Sequence, residues 1–206
     1  LRNTRAARPC PALPTAYLAA RMRPVFLPIP RIATQRLLLR ELEDADAPAV
    51  LRLRSDPALM RFIPKPLFSQ QEEASGMISE FHQAASVGEA ILWGITVRGT
   101  EGVAGYIGFW RIMRERRAAE LGYALHPDLW GQGLATEAVA AVVAHGFAQI
   151  GLQTAEAQVT PENAASIHVL ERNGFVFQGE VPADAALGGP WKHALLYSKT
   201  AADRDR

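Results

Sequence analysis

What this chain lacks narrows its identity first. It has one cysteine, Cys10, in 206 residues. A disulfide framework, a cysteine-ligated metal site and a catalytic thiol in the core are all poorly served by that single residue, and a reducing, cytoplasmic setting fits. No uninterrupted apolar run reaches membrane-spanning length. The hydrophobic share is nevertheless 49%, enough for one domain with a sizeable core. Charge of one sign is also missing, since 22 Lys and Arg face 21 Asp and Glu for a net +1. That balance gives no electrostatic footprint for nucleic acid. The histidines at 82, 126, 145, 168 and 193 lack the spacing of metal ligands, so no metal is expected.

The charge is unevenly distributed. Residues 1–31 hold six arginines and no acid, so the other 175 residues carry 16 basic and 21 acidic groups, a net of −5. An acidic body weakly favours an amine-bearing partner, although a solvated surface carries such an excess equally well. The first 30 residues contain six prolines and no hydrophobic periodicity, and read as a disordered extension. They lack the serines and amphipathic stripe of a transit peptide; an alternative is that translation begins at Met22. The expected division is an Arg- and Pro-rich extension over 1–31, one domain over 32–200 and a polar tail over 201–206.

Within that domain, Thr34–Arg40 reads as a strand, and Asp44-Ala-Asp46 can cap a helix through Val50, Leu51 and Leu53 that Asp56-Pro57 stops. A second helix is expected from Glu72 to Ala85. Ala90–Val97 and Gly102–Trp110 form an antiparallel pair, and Ala118–Leu125 a third strand. Val139, Val142, Val143 and Phe147 mark the core side of a helix that starts near Leu134 and ends at Gly151. Thr154–Val159 is a strand, and Asn163 and Gly174 stand at the two ends of a short helix. Phe175–Val181 and Trp191–Lys199 complete a mixed α/β order.

The most informative stretch is Glu120 to Glu137, where a strand passes through Trp130-Gly-Gln-Gly-Leu-Ala135 directly into a helix. Gly131 and Gly133 free the backbone there, so successive N–H groups at the positive end of a helix dipole can hold an anion. A dinucleotide fold would need its glycine pattern after the first strand of a parallel unit, and a P-loop would need Gly-Lys-Ser/Thr; neither is present.

Thr34-Gln-Arg-Leu-Leu-Leu-Arg40, Glu120-Leu-Gly-Tyr123, Trp130–Ala138 and Asn163-Ala-Ala-Ser166 with Asn173-Gly-Phe175 together resemble the GNAT-type N-acetyltransferases, most closely the branch that acetylates ribosomal-protein N-termini. The resemblance covers about residues 32–200. It implies a mixed, mostly antiparallel sheet splayed between its fourth and fifth strands, with flanking helices and acetyl-coenzyme A in the gap. It also implies that the amides of Trp130, Gly131, Gln132, Gly133, Leu134 and Ala135 hold the coenzyme's pyrophosphate and that Asn163 bonds the pantetheine arm.

Acetyl transfer to an amine needs a neutral amine, an oxyanion stabiliser and a proton for the departing thiolate. A strand N–H near Ala124 or Leu125 is expected to serve the oxyanion. Glu120 is the first candidate base, with Glu41 and Asp128 behind it, although an ion pair to Arg114, Arg116 or Arg117 would explain Glu120 as well. Many members of the family use a tyrosine seven residues after the asparagine as acid; Leu170 stands there, and Ser166 matches the serine proposed in the ribosomal branch. His126 and His168 are weaker proton carriers. Of Tyr123, Trp93, Trp110 and Trp191, one is expected to touch the acceptor. The acceptor implied is a primary amine, foremost a peptide or protein N-terminus, then a small-molecule amine; a non-catalytic acyl-CoA-binding module is a rival. No membrane partner is expected, and exposed strand edges would permit a homodimer.

Overall fold

The computed structural model describes residues 26–63, 65–182 and 193–202. Along the chain run β1 (Ile32–Ala33), β2 (Leu37–Arg40), α1 (Ala47–Arg54), α2 (Pro57–Met60), α3 (Gln71–Val87), β3 (Ile91–Val97), β4 (Gly105–Met113) and β5 (Ala118–Leu125). They are followed by α4 (Leu134–His145), β6 (Thr154–Val159), α5 (Ala164–Arg172), β7 (Val176–Pro182) and β8 (His193–Thr200). The strands make one sheet in the order β1-β2-β3-β4-β5-β6-β8-β7. Every neighbouring pair is antiparallel except β5 with β6. The expected first strand, Thr34–Arg40, is thus a turn followed by β2, with the short β1 added before it as the other arm of a hairpin, and the expected fourth and fifth strands are β5 and β6.

Alternation along the strands sorts their side chains onto two faces. Leu37, Leu39, Trp93, Ile107, Phe109 and Leu121 face Val139, Val142 and Val143 of α4 and Leu170 of α5. Leu92, Tyr106 and Ala124 face the other way, onto Val50 and Leu53 of α1, Leu59 of α2 and Met77 and Ile78 of α3. Two helical layers therefore cover one sheet, and on β5 Leu121 belongs to one layer and Ala124 to the other.

The packed body begins upstream of the expected boundary at residue 32. Ile29 is buried in the core, the Trp93 indole N–H donates to the Pro30 carbonyl at 2.7 Å, and the Phe26 N–H to Ala85 at 2.9 Å. Hydrophobic Phe26 and Ile29 follow the Arg-rich stretch and close over β3, which the spacing of the prolines conceals. Residues 1–25, including Cys10 and Met22, lie outside the described residues, as do Gly188-Gly189-Pro190, Trp191 and residues 203–206.

Asp46 does not cap α1 through its own first turn. Its carboxylate accepts from both Arg40 Nη atoms, at 2.7 and 2.8 Å, and from the Glu43 N–H at 2.8 Å, fastening β2 to the start of α1. Burial pushes the Asp46 carboxyl up, but the hydrogen bonds from Arg40 and Glu43 outweigh it and hold it below the usual aspartate range. A depressed acid stabilises the fold above its ordinary pKa and loses that contribution as pH falls through the lowered value. Asp46→Asn should therefore cost about 2 kcal/mol in urea unfolding at pH 7, and the gap from the parent should shrink in strong acid; a pH-independent gap would contradict the assignment.

Candidate active site

The parallel ladder between β5 and β6 is short. Ala118, Ala119 and Glu120 pair with Thr154, Ala155 and Glu156, and there it stops. Beyond that point β5 stays with β4 as far as Leu125 opposite Gly105, while Ala157, Gln158 and Val159 stay with β8. The two strands diverge, and a cleft of about 1410 Å³ opens between them. Residues of both helical layers line it, so it runs through the sheet from one face to the other.

Hydrogen-bond alternation decides which β5 amides face this gap. The His126 N–H donates to Ala104 at 2.9 Å, so in the β4–β5 register the amides of Ala124 and Gly122 also point at β4. Those of Tyr123 and Leu125 point into the gap. Of the two expected oxyanion donors, Ala124 is therefore committed to the sheet and Leu125 is open. The Leu125 carbonyl, on the same edge, accepts from the Trp130 indole N–H at 2.7 Å, which fixes that peptide's orientation.

The glycine loop enters α4 at the other side of the gap. Gly131 and Gly133 both have φ of +73°, a region where a side chain is strained. A Cβ on Gly131 would meet nothing within 4 Å, so the space above the loop is open. Among the described residues the N–H groups of Gly131, Gln132, Gly133, Leu134, Ala135 and Thr136 have no acceptor, while the Glu137 N–H makes the first helical bond, to Gly133. Six consecutive free donors at a helix N-terminus fit a diphosphate. Trp130 drops out of the expected set because its N–H is spent on Pro127 at 3.0 Å.

A clamp unread in the sequence braces this loop. Glu137 accepts from Thr34 Oγ1 at 2.6 Å, from the Arg36 N–H at 2.8 Å and from Arg36 Nε at 2.7 Å, and Arg36 Nη1 donates to the Gln132 carbonyl at 2.8 Å. Burial raises the Glu137 carboxyl, but these hydrogen bonds and the Arg36 charge together carry it below the usual glutamate range. On α5, Asn163 Oδ1 caps the helix by accepting from the Ser166 N–H at 3.1 Å. Its amide nitrogen has no acceptor among the described residues and its side chain lines the cleft.

The sequence-derived candidates separate clearly. Glu120 lines the cleft and is buried, but its ion-pair partner is Arg111, not Arg114, Arg116 or Arg117. Arg111 Nε and Nη2 approach Glu120 Oε2 at 2.9 and 2.6 Å, and Arg116 pairs with Glu156 instead. Ser166 Oγ lies 2.8 Å from the Tyr123 hydroxyl, an interaction across the gap that the sequence did not expose. Burial pushes the Tyr123 phenol up to about 12, against a smaller opposing effect from Ser166. Leu170 is core. Glu41 sits against His82 and Asp128 against His126, both away from the cleft lining, whereas His168 borders it. Trp93 is fully buried, edge-on to His145; Trp110 and Tyr123 both line the cleft. The Trp110 ring packs on Gly122, where a Cβ would come within 1.7 Å of it. Among the described residues no cluster of acids, histidines or cysteines could hold a metal, and no helix is long and apolar enough to cross a membrane.

Residues 36–176 match the family model described as an acetyltransferase (GNAT) domain. YoaA of Bacillus subtilis (strain 168), named as an uncharacterized N-acetyltransferase, is 35% identical over 150 residues, 73% of this chain and 85% of that protein. The spermidine N(1)-acetyltransferase of Escherichia coli (strain K12) is 26% identical over 157 residues, 76% of this chain and 82% of that one. Among solved structures, Mycobacterium smegmatis RimJ in complex with CoA-disulfide superposes with a TM-score of 0.78 at 25% identity, covering 86% of this chain and 90% of that one. RimL, a ribosomal L7/L12 alpha-N-protein acetyltransferase in complex with coenzyme A, has the same fold (TM-score 0.74, 23% identity, 83% and 98% covered).

Glu137→Gln should weaken coenzyme A binding about tenfold in calorimetry, since it loosens the brace under Gln132 without touching a loop amide. With the Glu137 carboxyl depressed, the parent's affinity should stay flat from pH 8 down to pH 6 and should lose this contribution only below the ordinary glutamate range.

Proposed function

We propose that this chain, which belongs to the GNAT acetyltransferase family and is an acetyl-CoA-dependent N-acetyltransferase, uses as its acceptor the α-amino group of a peptide or protein N-terminus. The observation that carries this reading is the ion pair on Glu120. A carboxylate already engaged by a guanidinium is suited to orienting an amine or a water and poorly suited to stripping a proton from a strongly basic group. An α-amine has a pKa of about 8 against about 10.4 for lysine, so near neutral pH a useful fraction of it is already the nucleophile.

Acetyl-coenzyme A supplies the activated acetyl thioester. In this reading the amides from Gly131 to Thr136 hold its diphosphate, and the Asn163 side-chain amide and the open edge of β5 hold its arm. The Leu125 N–H, on the β5 edge that the Trp130 indole anchors through the following peptide, faces the oxyanion that forms as the amine adds. Glu120 takes the amine's proton directly or through a water. The Tyr123–Ser166 pair returns a proton to the leaving sulfur, a role for which a phenol raised to about 12 is suited because it stays protonated across the working range. That pair offers an acid where Leu170 removes the family's usual tyrosine. A protein N-terminus agrees with the printed activity of RimL, an alpha-N-protein acetyltransferase of the same fold, and likeness to the spermidine enzyme keeps small amines as the rival. A reducing, cytoplasmic setting is consistent with both.

An acceptor screen that sets peptides of different first residues beside spermidine and lysine should show kcat/KM for the best peptide at least tenfold above any small amine; the reverse order would favour the rival. Glu120→Gln should lower kcat by about 10²-fold with the acetyl-CoA KM unchanged.

Tyr123→Phe and Ser166→Ala should each slow thiol release by about tenfold, and the double variant should be little worse than either single, since they form one donor. With the phenol at about 12, the parent's rate profile should show no alkaline fall attributable to Tyr123 up to pH 10.

A further inference from the structure

Four arginines border the cleft, Arg36, Arg54, Arg111 and Arg172; Arg172 is exposed to solvent, and the other three differ in one respect. Arg36 is matched by Glu137 and Arg111 by Glu120, but Arg54, the last residue of α1, has no carboxylate within ion-pairing distance among the described residues. It is only 8% exposed. Its guanidinium stacks 4.3 Å above the Phe68 ring, and Nη2 donates to the Pro66 carbonyl at a long 3.3 Å. Its Nε is buried with no hydrogen-bond partner. The acid whose charge it feels, Glu73, makes no ion pair with it and accepts from the Ser69 N–H and hydroxyl and from the Gln70 N–H at Oε2.

A guanidinium carries five N–H donors, and a buried cation without a counter-ion is costly unless something supplies one. Arg54 lines the same cleft as Glu120 and Trp110, on the α1–α3 side of the sheet, away from the glycine loop. The buried Tyr106 hydroxyl lies beside it. The planar fork of an arginine matches a carboxylate geometrically.

We propose that Arg54 recognises a carboxylate borne by the acceptor, so that the preferred substrate is an amine carrying an acid nearby, such as a peptide with Asp or Glu next to its free N-terminus. The inference rests on the cleft being the amine-acceptor site. It also gives a physical reason against polyamines, whose extra ammonium groups would be brought towards an unneutralised guanidinium.

Matched acceptor pairs test this: peptides with Asp or Glu at the second position against the same peptides with Asn or Gln, and free amino acids against their C-terminal amides. The wild-type protein should favour the carboxylate member of a pair by about tenfold or more in kcat/KM, expressed in the acceptor KM. Arg54→Met should bring the two members within about twofold of each other, Arg54→Lys should keep part of the preference, and calorimetric affinity for coenzyme A should be unchanged in both. Because Arg54 also holds Pro66 and Phe68, a variant that loses coenzyme binding is misfolded, and the wild-type pairs then decide alone. Equal rates within wild-type pairs, or a preference that survives in folded Arg54→Met, would overturn the proposal. Discrimination among amino-acid pairs with no peptide turned over would support Arg54's role and overturn the peptide reading. Efficient peptide turnover without discrimination would do the opposite, and no turnover on any pair would overturn both.

Discussion

The divergence of β5 from β6 after Glu120 and Glu156 is the constraint on which the rest depends. Each strand has a better partner elsewhere: β5 follows β4 to Leu125, and β6 follows β8 to Val159. The short parallel ladder therefore joins two half-sheets that twist apart. Backbone groups on the facing edges cannot be left dry and unpaired without a penalty of about 1–3 kcal/mol each. Their natural complement is a ligand with an amide-bearing arm, which would lie between the donor-rich loop and the largely apolar far face that Arg54 borders.

The chemistry of the two ends follows from opposite uses of charge. At the α4 end the proposed ligand site consists of main-chain N–H groups and a helix dipole, and the basic side chain beside it, Arg36, is neutralised by Glu137. Arg36 is structural: its fork connects the β1–β2 hairpin to the Gln132 carbonyl. At the opposite end Arg111 is held by Glu120, which leaves Arg54 as the buried charge without a matched acid among the described residues. Under the proposed function, this contrast would let one cleft hold an anionic coenzyme by backbone alone and reserve side-chain charge for selecting an acceptor.

The order of elements was legible from the sequence because each carries its own local signal: glycines at 131 and 133 before an apolar helix, Asn163 and Gly174 at the two ends of α5, alternation in β3 to β5. The open backbone of the glycine loop at the start of α4 was legible for the same reason. What the sequence hid is set by register and by contacts between distant residues. That the open amide belongs to Leu125 and not Ala124 depends on the phase of the β4–β5 ladder, which a one-residue slip would invert. The spending of the Trp130 N–H on Pro127, the Thr34–Arg36–Glu137 clamp, the choice of Arg111 as partner for Glu120 and the meeting of Tyr123 with Ser166 all join residues that periodicity does not relate. The burial of Ile29 was missed because prolines on both sides mask a hydrophobic anchor.

The central claim is that the backbone N–H groups of Gly131 to Thr136, with the Leu125 N–H across the gap, are the ones that take up the coenzyme. Amide hydrogen exchange of the whole protein, with and without saturating coenzyme A, measures this directly. The account predicts strong slowing at 131–136 and at Leu125, with Ala124 and the amides of β3 unaffected. Unchanged exchange in the glycine loop while coenzyme A is bound, or protection confined to another face of the sheet, would contradict it.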